Sequence, residues 1–164
     1  MSVYNRKNLR TALKTSIDAA LVGPNKVAQL CYKYQTAEFD QFIPSTSEVA
    51  NVAIYVITSA GSNRSSEDAN FILPEQVIFI DIHSFVIYEK ENEWSELESE
   101  DKIDDMEVGI IEWWGDNADR RSDATPAWLE AHLMDKSDVT SAFIGGIEYR
   151  HEIFHFAFVV GNPS

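Results

Sequence analysis

Reactive chemistry comes closest to hand in this 164-residue sequence at Asp81, His83, His151 and His155. His151 and His155 are four positions apart, a spacing that on a helix brings two imidazoles to one metal ion. On a strand the same four residues span roughly 13 Å, too far for a shared ion. The local pattern favours a strand. Ile147, Tyr149, His151, Ile153 and His155 alternate with Glu148, Arg150, Glu152, Phe154 and Phe156. A metal site would then need His83 from another strand, so half-buried, hydrogen-bonded histidines are expected instead. Asp81 interrupts an apolar strand. It suits either an acid whose pKa is raised by burial or an ion pair with Arg150 on a neighbouring strand, and the pair is the expectation.

Other chemistry is sparse. Gly61-Ser-Asn-Arg64 and Gly145-Gly-Ile-Glu148 have neither the spacing nor the strand-to-helix context of a phosphate-binding loop or a dinucleotide fingerprint, and there is no nucleophile-elbow motif. Carboxylates abound between Glu89 and Glu112, but in the first turns of a helix they serve the helix dipole. Cys31 is the single cysteine. It cannot form an internal disulfide or a zinc site alone, and within an apolar run it reads as a small core residue. The expectation is a protein with no catalytic residue, no cofactor and no metal.

The elements that would position these residues follow from periodicity. Leu9, Ala12, Leu13, Ile17, Ala20 and Leu21 make one face of an N-terminal helix, capped by Asn5 or Asn8 and stopped at Gly23-Pro24. Val27 to Gln35 alternates as a strand. After a loop containing Pro44 to Ser47, a second strand runs from about Glu48 to Thr58. Ser59 to Asn70 is polar and aperiodic, a loop of the mobile or functional kind. A long strand covers about Glu75 to Glu89, with Ile78, Ile80, Ile82, Val86 and Tyr88 on one face. Val77, Phe79, Phe85 and Ile87 share the other face with Asp81 and His83.

Ser95-x-x-Glu98 is a capping box opening a helix whose inward stripe is Ile103, Met106, Ile110, Trp113 and Trp114. Gly115-Asp-Asn117 ends it. A polar loop and a short helix over Ala127 to Met134 are expected next. Val139 to Ile144 and Ile147 to Val160 form a hairpin about Gly145-Gly146. With few β-α-β crossovers, the fold class expected is α+β: an antiparallel or mixed sheet of about five strands with helices on one face, in a single domain over residues 1–164.

Apolar residues are 45% and charged residues 24% of the chain, ordinary for a globular protein able to bury a core. No stretch approaches the ~20 apolar residues of a membrane span, and the first residues lack an apolar signal core, so neither a membrane nor export is expected. The net charge of −14 is unevenly spread. Residues 1–35 hold six bases and one acid, whereas Glu89 to Asp123 hold fourteen acids and four bases. Such a surface repels free nucleic acid; ends of opposite sign can steer head-to-tail association, although on charge alone a solvated acidic helix face is the plain expectation. For Trp113, Trp114 and Trp128 core packing is the plain expectation, with an oligomer interface as the alternative.

Over most of its length the chain also resembles a known family. The likeness lies in the N-terminal helix, then Tyr34-Gln-Thr-Ala-Glu-Phe39 and Thr58-Ser-Ala-Gly-Ser-Asn-Arg64. Phe85-Val-Ile-Tyr88 follows, then the run Trp94 to Glu107, then Ile144-Gly-Gly-Ile-Glu-Tyr-Arg-His-Glu152. Together these resemble the tail terminator, or tail completion, proteins of long-tailed bacteriophages, and small neck proteins of the same phages look similar.

The resemblance implies an α+β fold and a structural virion protein, assembled in the host cytoplasm and placed at the head-proximal end of the tail. Six copies would form a ring that caps the tail tube, stops its polymerisation and meets the head–tail connector or neck proteins. No catalytic residues are implied. Ser59, Gly61, Ser62, Asn63 and Arg64 become candidates for contact with the major tail tube protein. Arg6, Arg10, Trp113, Trp114 and Trp128 become candidates for the subunit interface. Glu98, Asp101, Asp105 and Glu112 become candidates for an acidic lumen that DNA passes without specific binding. Two readings compete: an acidic DNA mimic, which should spread its carboxylates at phosphate-like spacing, and an enzyme built on Asp81, His83, His151 and His155.

Overall fold

A computed structural model describes residues 6–33, 52–63, 75–88, 95–144 and 147–161. Its elements run α1 (Arg6–Leu21), β1 (Leu30–Tyr32), β2 (Val52–Asn63), β3 (Glu75–Tyr88), α2 (Glu96–Asn117), β4 (Glu130–Lys136), β5 (Thr140–Ile144) and β6 (Ile147–Gly161). Asn5, Pro44 to Ser47, Arg64 and the turn glycines Gly145 and Gly146 lie outside the described residues.

The strands form one mixed six-stranded sheet in the order β1-β2-β3-β6-β4, with β5 also on β6. Only β1 and β2 pair in parallel. β6 pairs with β3 along its whole length, from Glu148 to Gly161. On its other edge it takes β5 over Ile147–His151 and β4 over Phe154–Val159. This is the α+β architecture expected, with one strand more than the sequence suggested.

Both helices lie on the same face. Leu9, Leu13, Ile17 and Leu21, one turn apart along α1, are buried, and α1 covers β1 and β2 while α2 covers β3, β6 and β4. The expected face of α1 holds except at Ala20, which is exposed. The core between the layers takes Tyr55 and Ile57 from β2, Ile78, Ile80 and Ile82 from β3, and Phe154, Phe156 and Phe158 from β6, together with Ile103, Met106 and Ile110 of α2. Tyr55 donates its hydroxyl to the Met106 carbonyl at 2.6 Å, so a polar tip carried into the core is satisfied by the helix backbone. Gly109 faces the same junction. A Cβ there would meet Val27 Cγ2 at 3.0 Å and Leu21 Cδ2 at 3.3 Å, so any larger residue would make these side chains give by a few tenths of an ångström where α2 approaches the end of α1.

α2 begins at the capping box read from the sequence. Ser95 Oγ accepts from the Glu98 amide at 3.2 Å, and Glu98 Oε2 accepts from the Ser95 amide at 2.8 Å. On the sheet's other face Val52, Ile54, Val56, Phe85 and Ile87 form a smaller buried cluster that contains no helix residue.

Two elements depart from expectation. Ala127 to Met134 is not a helix: Glu130–Lys136 is β4, held by antiparallel pairing to β6. Its Ala, Leu and Met content favours a helix locally, and long-range pairing overrides that preference. The polar stretch after Thr58 is not a loop at its start either. β2 continues to Asn63 through a bulge between Ser59 and Gly61, where Gly61 has φ +155°, paired throughout with β3.

Candidate functional site

The residues with chemical potential fall on three surfaces. The first is a polar strip across the sheet face turned away from α1 and α2. His83 Nδ1 lies 2.9 Å from His151 Nε2, and His83 Nε2 lies 3.0 Å from Thr58 Oγ1. His155 Nδ1 lies 2.7 Å from Asp81 Oδ1. The rings of His83, His151 and Phe85 stack, with Phe85 and His151 centroids 4.2 Å apart and planes 5° apart. Burial lowers the His83 pKa, and burial together with neighbouring His83 brings His151 down to about 4. A hydrogen bond between two imidazoles needs one of them neutral at the shared nitrogen, which agrees with both shifts.

The expected pairing of Asp81 with Arg150 does not occur. Asp81 opposes His155 in the β3–β6 register, while Arg150 opposes Val86. Asp81 and Arg150 therefore stand on opposite faces of the sheet, because successive side chains alternate. Sequence reasoning listed all four residues of the strip but could not supply the register that decides their partners. The three histidines are hydrogen-bonded, as expected, His151 and His155 half-buried and His83 more deeply buried than expected. A metal about 2.0–2.1 Å from each nitrogen would have to displace the proton shared by His83 and His151 and turn both rings. No group of three potential metal ligands exists among the described residues. Cys31 is buried, and burial pushes its thiol up to about 12, which removes it as a nucleophile.

The second surface joins α2 to the sheet. Arg150 donates to Ser99 Oγ at 2.9 Å and Ser141 Oγ at 3.0 Å, and pairs with Glu100 at 2.6 Å. Lys136 pairs with the fully buried Glu152 at 2.9 Å and lies 3.8 Å from Glu107. Burial raises the pKa of Glu152 more than Lys136 lowers it. Glu100 and Glu107 thus anchor α2 to the sheet, a role the sequence did not assign. An even-numbered Arg150 and Glu152 within an apolar strand were its only signal.

The chain matches no protein-family model and no curated protein sequence. Its functional reading therefore rests on its own residues.

The third surface is the outside of the helix layer. Of the lumen candidates, Glu98, Asp101, Asp105 and Glu112 are all exposed, with Glu98 occupied in the capping box. Partial burial and the carboxylates of Glu100, Glu107, Asp101 and Asp105 push the Asp104 carboxyl up, a sign of how crowded this negative helix is. Asp105 and Glu112 also stand on the wall of an open groove of about 460 Å³ between α2 and the end of α1, lined as well by Lys102 of α2 and by Lys26 beyond α1.

Of the interface candidates, Arg6 is exposed. Arg10 donates to Ser59 Oγ, tying an interface candidate to a tube-contact candidate within one chain. Trp113 and Trp128 are corrected: they are 2% and 0% exposed and belong to the core. They pack with Phe156 and Phe158, and their indole N–H groups are satisfied by Ser16 Oγ and the Asn117 carbonyl. Trp114 is half-buried and donates to the Ala131 carbonyl at 2.7 Å. Ser59, Gly61, Ser62 and Asn63 stand at the end of β2 rather than in a free loop.

Proposed function

We propose that this chain is a structural protein of the tail–neck region of a long-tailed bacteriophage, a tail terminator that closes into a ring on the end of the tail tube and works through its surfaces rather than a reactive centre. The observation that carries the reading is the separation of charge within one helix layer. α1 holds four bases and one acid, and α2 holds nine acids and one lysine. α1 lies over the β1–β2 flank and α2 over the β3–β6–β4 flank. A closed ring with head-to-tail contacts needs two unlike, complementary patches on each subunit, and unlike charge on opposite flanks supplies them.

The C-terminal end of β2, around Ser59, Gly61, Ser62 and Asn63, is the part offered to the tube protein, and the connector or neck proteins meet the other side of the ring. The sequence resemblance supports the same assignment. Among the described residues no helix is long and apolar enough to cross a membrane, which a virion component does not need. Electron microscopy of particles made without this protein tests the reading. Overlong tails are expected. Tails of normal length detached from heads would move the protein to a neighbouring neck role, and normal particles would overturn both.

A further inference from the structure

We infer that the outer face of α2 is the docking surface for the basic α1 edge of a second copy of this chain; this rests on the ring reading above. At 3.6 residues per turn, Leu97, Asp101, Asp104, Val108 and Ile111 fall in a stripe about 80° wide. The stripe lies opposite the buried Ile103, Met106 and Ile110. Leu97 is 70%, Val108 55% and Ile111 36% exposed, so the stripe interleaves aliphatic side chains with carboxylates. A lumen passed by DNA gains nothing from three exposed aliphatic residues, whereas a protein contact does, since association buries apolar area within a polar rim. Glu100 and Glu107 point their charge at the sheet through Arg150 and Lys136. Among the described residues Asp101 and Asp104 make no such ion pair, and the crowding that pushes Asp104 up is relieved by an incoming cation.

The complementary chemistry is in the same molecule. Arg6 and Lys7 open α1 and are exposed. Lys14 pairs with Asp18 within α1, and Lys33 at the end of β1 donates to Thr11 Oγ1, which brings both near the same flank. α1 and α2 pack side by side, α1 over β1 and β2 and α2 over β3, β6 and β4, and the stripe on α2 turns away from the buried side of its helix, so a second copy can bring its α1 edge to it. The groove beside Val108, between α2 and the end of α1, provides a recess next to the stripe. Asp101, Asp105 and Glu112 are thereby assigned to a subunit contact rather than to the lumen.

Charge reversal tests the assignment on the full chain by native mass spectrometry and sedimentation. Asp101→Lys with Asp104→Lys should abolish the wild-type oligomer, and so should Arg6→Glu with Lys7→Glu. An equimolar mixture of the two variants should restore it, each reversed patch meeting the other. All four positions are exposed, and thermal melting of each variant checks that it remains folded. A wild-type ring that survives both reversals overturns this inference and leaves the ring reading standing. A wild-type chain that stays monomeric, alone and with tail tubes, overturns both.

Discussion

On the helix-covered face of the sheet, the polar groups are the ion-paired side chains of Arg150 and Glu152 beneath α2. Arg150 reaches Ser99 and Glu100, and Glu152 is held by Lys136. On the other face they are titratable imidazoles that bond to one another and to Thr58 and Asp81 along the sheet itself. The first arrangement ties α2 to the sheet through Glu100 and Arg150, with Lys136 between Glu107 and the buried Glu152. The second stacks rings within an apolar surface, where burial holds the pKa values of His83 and His151 down. The difference teaches that α2 is positioned by its own acids. Glu100 and Glu107 are spent on the sheet, whereas Asp101, Asp104, Asp105 and Glu112 are exposed, the arrangement on which the docking proposal builds.

The largest break in this comparison should come from the aromatic centre of the helix-covered face. Trp128→Ala is expected to cost about 3–5 kcal/mol, from lost burial and the cavity left beside Phe158. Ile54→Val in the smaller cluster should cost about 1 kcal/mol. Urea unfolding of both variants checks the ratio.

Next in size is Lys136→Met, which leaves Glu152 buried without its cation and should cost about 1–3 kcal/mol at pH 7. The folded-state pKa of Glu152 is raised, so its contribution is fullest below the ordinary glutamate value and is lost as pH rises through the folded value. Lys136→Met should steepen that loss and Glu152→Gln should flatten it, read from urea midpoints across pH. Ser95→Ala should cost about 1 kcal/mol by removing the acceptor of the Glu98 amide, read as a lower Tm.

The smallest change at pH 7, no more than about 1 kcal/mol, is expected for His151→Phe, which keeps the stack on Phe85. Its signature is a slope. The lowered pKa values of His83 and His151 contribute stability above the ordinary histidine value, and this is lost as pH falls toward about 4. The Phe variant should lose less stability over that range than the wild type.

Local rules were legible where they decide structure locally. The capping box at Ser95, the i to i+4 stripe of α1 and the two faces of β3 all stand as read. What was not legible depends on partners distant in sequence. β4 has helix-forming residues and becomes a strand through β6. Ser59 to Asn63 lacks strand-forming side chains and extends β2 through pairing with β3. The Asp81–His155 contact follows from a register that alternation alone cannot set. Trp113 and Trp128 could have been interface or core by type, and only the packing of β6 beneath α2 puts them in the core.

Native mass of the purified chain, alone and on tail tubes, tests the central proposal most directly. A closed ring of about six copies, formed free or on the tube end, is the result expected from unlike helix flanks docking head to tail. A chain that remains a monomer in both conditions, with no ring on the tube, would contradict it.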